Sequence, residues 1–106
     1  MRDLRACTER VRELLPKEEI LAQLAEECTE LAQAALKYRR VLDGTNPTPV
    51  EHDQAVINLY EELGDVMGCL FAADLIHHID QECIDFVSVF KMARWVKRLE
   101  ARDGAE

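Results

Sequence analysis

The sequence has few of the residues that interrupt helices and few aromatic residues. It contains only four glycines and three prolines, and aromatic residues occupy 6% of its 106 positions. Sandwiches and barrels need frequent turns, so this composition favours helices. No apolar run approaches the roughly 20 residues that a membrane-spanning helix requires. We therefore expect an all-α protein without a membrane partner.

Cysteines are also too few and too scattered to form a recognisable metal or disulfide framework. The four of them, Cys7, Cys28, Cys69 and Cys83, include no Cys-x-x-Cys pair. The simpler interpretation is that these cysteines are small, buried, apolar residues of a protein in a reducing compartment. The first residues lead into a charged helical pattern rather than an apolar signal segment. The predicted location is the cytoplasm.

Basic residues are outnumbered, with 13 Lys and Arg against 21 Asp and Glu, for a formal charge of −8. A negative surface repels phosphate backbones, so a nucleic acid polymer is not expected as a partner. A small anionic ligand remains compatible if a metal or local cations meet it. The length suits one domain, residues 1–106, and a homodimer or homotetramer would bury more of its surface.

Four helices can be placed along the chain, and short connections between them predict an antiparallel bundle. The first spans about residues 3–15, and the second runs from Pro16 to about Leu42. Residues 48–51, Thr-Pro-Val-Glu, resemble a capping box that would start the third helix at Thr48, ending near His77. The fourth would run from an N-cap at Asp80 to about Arg102.

Acidic residues at i and i+3 spacing lie at the core face of the two longest predicted helices. At 100° per residue, Glu27 falls within the apolar stripe of the second helix and Glu30 at its edge. Glu62 lies between apolar positions of the third helix, with Asp65 beside it. Like charges at this spacing repel each other. Four carboxylates that converge between packed helices would be unfavourable unless something neutralises them.

Three arrangements would neutralise such carboxylates: proton uptake, Lys or Arg partners, or a hard divalent metal ion that prefers oxygen ligands. No His lies within either acidic motif. This argues against zinc and against a di-iron site of the Glu-x-x-His kind. The alternative is two solvated acidic faces, because such pairs are common on helix surfaces.

The same residues resemble the motifs of the MazG-like all-α nucleotide pyrophosphohydrolases. This superfamily also contains the dimeric dUTPases, the dCTP pyrophosphatases and phosphoribosyl-ATP pyrophosphatase. Residues 26–30 (EECTE) match the motif Glu-Glu-x-x-Glu, and residues 62–65 (ELGD) match the later Glu-x-x-Asp. The resemblance covers the second to fourth predicted helices. The segment between the motifs is longer than in compact members, and we assign the excess to residues 43–52.

The resemblance implies an enzyme that cleaves a nucleoside triphosphate between its α and β phosphates, releasing a monophosphate and pyrophosphate in nucleotide-pool housekeeping. It implies Mg²⁺, with Mn²⁺ as a substitute. The implied metal ligands are Glu27, Glu30, Glu62 and Asp65. Glu26 and Glu27 are the candidate catalytic carboxylates, since a carboxylate beside the ligands can orient or deprotonate water.

Candidate substrate-binding residues come from helix spacing and from the resemblance. Lys37 lies two turns beyond Glu30, about 10 Å along the helix, a distance that a triphosphate can span. Asn58 and Gln23 each lie one turn before an acidic residue. Lys91 and Arg94 resemble basic positions that family members use to hold phosphate. An ordinary surface role is the alternative for each of these residues.

Two other classes of protein fit parts of the pattern. One is a non-catalytic helical dimerisation or interaction module whose acidic residues line a solvated groove, which predicts no rise in melting temperature with magnesium. The other is a redox protein with two metals held by carboxylates. The lack of His at ligand spacing disfavours it.

Overall fold

The computed structural model describes residues 3–45, 51–75 and 81–104, which form four helices. They are α1 (Leu4–Leu14), α2 (Lys17–Asp43), α3 (His52–Ala72) and α4 (Gln81–Arg102). These described residues contain no strand, so the predicted all-α class is confirmed. The chain divides into two compact units, Met1–Leu75 with α1 to α3 and Ile76–Glu106 with α4.

The ends of α1 and α2 are set by local capping residues. The Asp3 side chain accepts a hydrogen bond from the Ala6 amide at 2.7 Å, which satisfies a free N–H of the first turn. Pro16 precedes α2, and Glu18 and Glu19 lie in its first turn, where the helix dipole favours negative charge. Gly44 ends α2 with a left-handed φ of 76°. These limits confirm the first two predicted helices.

The predicted start of α3 was wrong by a few residues. Glu51 is extended, with φ −65° and ψ 147°, and the helix begins at His52. Of the proposed capping box, Thr48 and Pro49 lie outside the described residues. His52 Nε2 is hydrogen-bonded to the Tyr38 hydroxyl at 2.8 Å. This contact with α2 holds the first residue of α3.

The predicted end of α3 was also wrong, because the helix stops at Ala72 rather than near His77. Asp74 has a φ of 58°, which helical geometry does not allow. The Phe71 carbonyl accepts a hydrogen bond from Arg12 Nη1 at 2.9 Å. The same carbonyl accepts the Asp74 N–H at 3.0 Å, so a side chain of α1 adds a second hydrogen bond at the helix end. His77 and the predicted N-cap Asp80 lie outside the described residues.

Helices α2 and α3 run antiparallel and form most of the first unit. Tyr38, near the end of α2, meets His52 at the start of α3. Ile20, near the start of α2, packs with Ala72 and Ala73 at the end of α3. Among the described residues, no large side chain is fully buried. The core is therefore small, and four of its five buried apolar residues are alanines.

Helix α4 carries apolar side chains on every side, as its sequence shows at 100° per residue. They include Ile84, Phe86, Val89, Phe90 and Trp95. A helix that is apolar all round needs partners on more than one side. In the described ranges, no helix combines the length and apolar character that crossing a bilayer requires.

Candidate metal centre

The middle of the α2–α3 pair brings four carboxylates together: those of Glu27, Glu30, Glu62 and Asp65. One oxygen from each lies within 4.8 Å of the others. We call this group the carboxylate cluster. Glu27 and Glu62 are half-buried, whereas Glu30 and Asp65 are exposed. The geometry follows from the i and i+3 spacing on both helices and from their antiparallel packing.

Two oxygens of the cluster are shielded from water without a compensating hydrogen bond. Glu27 Oε2 and Glu62 Oε2 are buried, and neither has a hydrogen-bond partner among the described residues. Removing a carboxylate oxygen from water is costly unless a donor or cation replaces the water. Both oxygens are therefore suited to accept a cation.

The negative charges of the cluster act on one another. The charge of Glu27 is the main reason that the pKa of Glu30 is raised above its ordinary value, and burial and the charges of Glu62 and Glu26 add to it. No Lys or Arg of the described residues forms an ion pair with a member of the cluster. Of the three ways to neutralise it, proton uptake and a metal ion remain.

An all-oxygen donor set of this kind fits a hard divalent cation such as Mg²⁺. It offers four carboxylates and no His or Cys ligand, which disfavours zinc. Gln23 Nε2 donates a hydrogen bond to Glu27 Oε1 at 2.7 Å. This bond holds one Glu27 oxygen in place while the other stays unpaired. Glu26 is exposed and lies outside the cluster.

A polar cavity of about 360 Å³ borders the cluster on the side of Glu30 and Glu62, and we call it the Lys37 cavity. Lys37 and Asn58, both predicted to contact substrate, lie on its wall. Asn58 Oδ1 accepts a hydrogen bond from Gln54 Nε2 at 2.9 Å.

Two polar residues of the same wall were not among the predicted site residues, Gln33 and Glu61. Gln33 lies three residues after Glu30 and four before Lys37, so extending their ridge along α2 would have found it. Glu61 is exposed.

A second cavity, of about 390 Å³, borders the cluster on the side of Glu27 and Asp65. Apolar and small residues form most of its wall, so we call it the apolar cavity. Its polar members include Gln23 and Cys69. Burial, followed by the charges of Glu27 and Asp65, raises the pKa of the Cys69 thiol and keeps it neutral. Sequence reasoning did not find this cavity.

Lys91 and Arg94 lie on α4, in the second unit, and the cluster lies in the first. Their contact with phosphate stays a prediction.

A family model described as the MazG nucleotide pyrophosphohydrolase domain matches residues 15–103. The match spans both acidic motifs and most of the 106-residue chain. Searches of curated proteins and of solved structures gave no match.

Proposed function

The chain belongs to the family of MazG nucleotide pyrophosphohydrolase domains, and from this premise we propose that it hydrolyses nucleoside triphosphates with Mg²⁺. The bond cleaved would be the one between the α and β phosphates, giving a nucleoside monophosphate and pyrophosphate. The observation that carries the proposal is the carboxylate cluster with its two shielded, unpaired oxygens.

The four members of the cluster are the groups that would hold magnesium. What the ion supplies in such sites is neutralisation of phosphate charge and a lowered pKa of coordinated water. Gln23 positions Glu27 through its hydrogen bond. Lys37, which forms no ion pair with any described residue, is free to bind a phosphate oxygen.

Glu26 is the group we assign to the proton of the attacking water. It adjoins Glu27 in sequence and is exposed, and its charge is close enough to contribute to the raised pKa of Glu30. A carboxylate that lies beside the ligands without being one of them can accept a proton while the ligands keep holding the ion. Replacement Glu26→Gln is then expected to lower kcat more than it changes magnesium affinity.

The test is pyrophosphate release from a panel of NTPs and dNTPs with magnesium. We expect activity for the wild type and a loss of about 100-fold or more for Glu62→Gln, because changing a residue that only orients a metal ligand already costs about 10–100-fold. Glu18→Gln, at the start of α2, is the matched control and keeps wild-type activity. An inactive wild type with every nucleotide would refute the proposal.

We also propose that a second copy of the chain covers the side of α3 that faces away from the cluster. Ile57, Tyr60 and Met67 share that side and are 47%, 68% and 43% exposed. Apolar exposure on this scale, beside a small core, is typical of an oligomer interface. Size-exclusion chromatography with light scattering should give a molar mass of at least twice the 12.1 kDa of one chain. Tyr60→Glu should shift the mass to the monomer, and an unchanged mass would contradict this interface.

A further inference from the structure

Two cavities of different character border the carboxylate cluster within the first unit. The Lys37 cavity includes Glu30 and Glu62 in its wall, and the apolar cavity includes Glu27 and Asp65. One oxygen of each of these four residues lies within 4.8 Å of the others. The two cavities therefore meet at the cluster.

A nucleoside triphosphate has a matching division on either side of the bond that the proposed reaction breaks. The α phosphate carries the nucleoside, and the β phosphate carries the remaining, highly charged end. If that bond lies at the cluster, the two halves of the substrate extend away from it in different directions. Each half then meets a different cavity.

The charged half fits the Lys37 cavity. Lys37 is the cation of its described wall, and the amides of Gln33 and Asn58 lie on the same wall. Side-chain amides and an ammonium group are donors to phosphate oxygens.

The nucleoside half fits the apolar cavity, whose volume is within the range of small-molecule sites. Gly64, Gly68 and Ala72 line one wall at intervals of four residues along α3, and Val11, Leu15 and Ile20 line the others. A Cβ atom added at Gly64 or Gly68 would meet nothing within 4 Å beyond its chain neighbours and the nearby backbone of α3 itself. The two glycines thus leave a side-chain-sized space in front of α3, which a flat ring can occupy.

Few groups on the described wall of this cavity can form hydrogen bonds with the polar edge of a nucleobase. The Gln23 amide donates one of its N–H groups to Glu27, and the neutral thiol of Cys69 is a weak donor and acceptor. Most of the wall residues lie within helices, whose main-chain groups are already paired. The wall is therefore suited mainly to van der Waals contact with the faces of a nucleobase ring.

We propose that the apolar cavity holds the nucleobase by contact rather than by hydrogen bonding, while the Lys37 cavity holds the β and γ phosphates. This inference rests on the proposed function. It makes the protein a pyrophosphohydrolase with little preference among bases, because an apolar pocket discriminates between similar ligands by only about 10–200-fold.

The test separates the two halves by measuring binding of the two products instead of turnover. Titration calorimetry with magnesium would use AMP, GMP, CMP and dTMP as one set of probes and inorganic pyrophosphate as the other. Gly68→Leu fills the apolar cavity and should weaken binding of the monophosphates by about tenfold or more, with pyrophosphate binding unchanged. Lys37→Met should do the opposite.

Ala32→Leu, which adds the same side chain at an exposed position of α2, is the control and should bind both products as the wild type does. Gly64→Leu is a second filling variant, should Gly68→Leu fail to fold. The inference is overturned if the filling variants weaken pyrophosphate and spare the monophosphates, or affect neither. It is also overturned if wild-type affinities for the four monophosphates differ by about 10⁴-fold, the scale of hydrogen-bond readout.

Failure of the proposed function is a different result. In that case the wild type releases no pyrophosphate from any triphosphate. The binding measurements need no turnover, so they decide the orientation in either case.

Discussion

Neutralising Glu62 should change stability in opposite directions with and without magnesium. Glu62→Gln keeps the size of the side chain and removes one negative charge from the carboxylate cluster. Without a divalent ion, the wild type carries mutual repulsion that the variant lacks. With the ion bound, the wild type gains a ligand that the variant has lost. The melting curves of the two proteins should therefore exchange order when magnesium is added.

The size of the effect follows from the spacing of the half-buried pair, Glu62 and Glu27. The four oxygens of the cluster lie no more than 4.8 Å apart. At that distance two unit charges repel by about 0.9 kcal/mol at the dielectric constant of water and by about 3.5 kcal/mol at an effective constant of 20. Both side chains keep some exposure, so we expect the variant to gain about 1–2 kcal/mol in EDTA. That corresponds to a rise in Tm of about 5–10 °C for a domain of this size.

Magnesium at about 100 times its Kd should add roughly 2.7 kcal/mol to the unfolding free energy of the wild type. The variant should lose most of that gain. Thermal unfolding followed by circular dichroism, in EDTA and across a magnesium titration, gives both numbers. Glu18→Gln is the control. It removes a favourable charge from the start of α2, so it should cost a few tenths of a kcal/mol in both conditions and leave the magnesium response intact.

Two results would refute this reasoning. If Glu62→Gln is less stable than the wild type in EDTA, the Glu62 carboxylate stabilises the fold without an ion, and repulsion within the cluster is too weak to offset that contribution. If magnesium raises the Tm of both proteins equally, Glu62 does not hold the ion.

Three further predictions concern pH, the glycines and the link between α1 and α3. In EDTA the folded state takes up a proton at Glu30 more readily than the unfolded state, so stability should rise as the pH falls through the raised pKa, above the ordinary 4.5. Magnesium affinity should fall over the same window in a calorimetric titration, because the ion must displace that proton. Gly44→Ala should lower the free energy of unfolding by about 1 kcal/mol, since φ is 76° there, whereas Gly64→Ala within α3 should raise it by about 0.5–1 kcal/mol. The urea midpoint should therefore fall for Gly44→Ala and rise for Gly64→Ala. Arg12→Ala should cost about 1 kcal/mol by urea unfolding, because it removes the charged donor from the Phe71 carbonyl and leaves that carbonyl with the Asp74 N–H alone, and a change near zero would show that water replaces the guanidinium.

Helix limits could be predicted from sequence where the signal is local. Asp3, Pro16 and Gly44 act on their own helix ends, and the structure places them there. The limits of α3 depend on other helices instead. Its first residue is held by Tyr38 of α2, and its last turn accepts a hydrogen bond from Arg12 of α1. Asp74 adopts a positive φ that single-residue preferences assign mainly to glycine.

The carboxylates could be predicted because helix phase is a property of the chain itself. Because an α-helix has 3.6 residues per turn, Glu27 and Glu62 face inward on their own helices. Antiparallel pairing of the helices then brings Glu30 and Asp65 close to them. The apolar cavity has no comparable signal. Its volume depends on the distance between three helices, and that distance is set by side chains far apart in sequence. Gly64 and Gly68 appeared in the sequence only as weak helix formers.

The burial of two carboxylate oxygens also bears on the choice between an enzyme and an acidic interaction groove. A groove that only needs negative charge can keep its carboxylates hydrated, at no cost in stability. This fold instead shields Glu27 Oε2 and Glu62 Oε2 and provides no donor for either within the described residues. Glutamine at either position would relieve both repulsion and desolvation, so the arrangement is unfavourable for the protein alone. A bound cation would make it favourable, so the burial of these two oxygens supports the proposed metal site over an acidic groove.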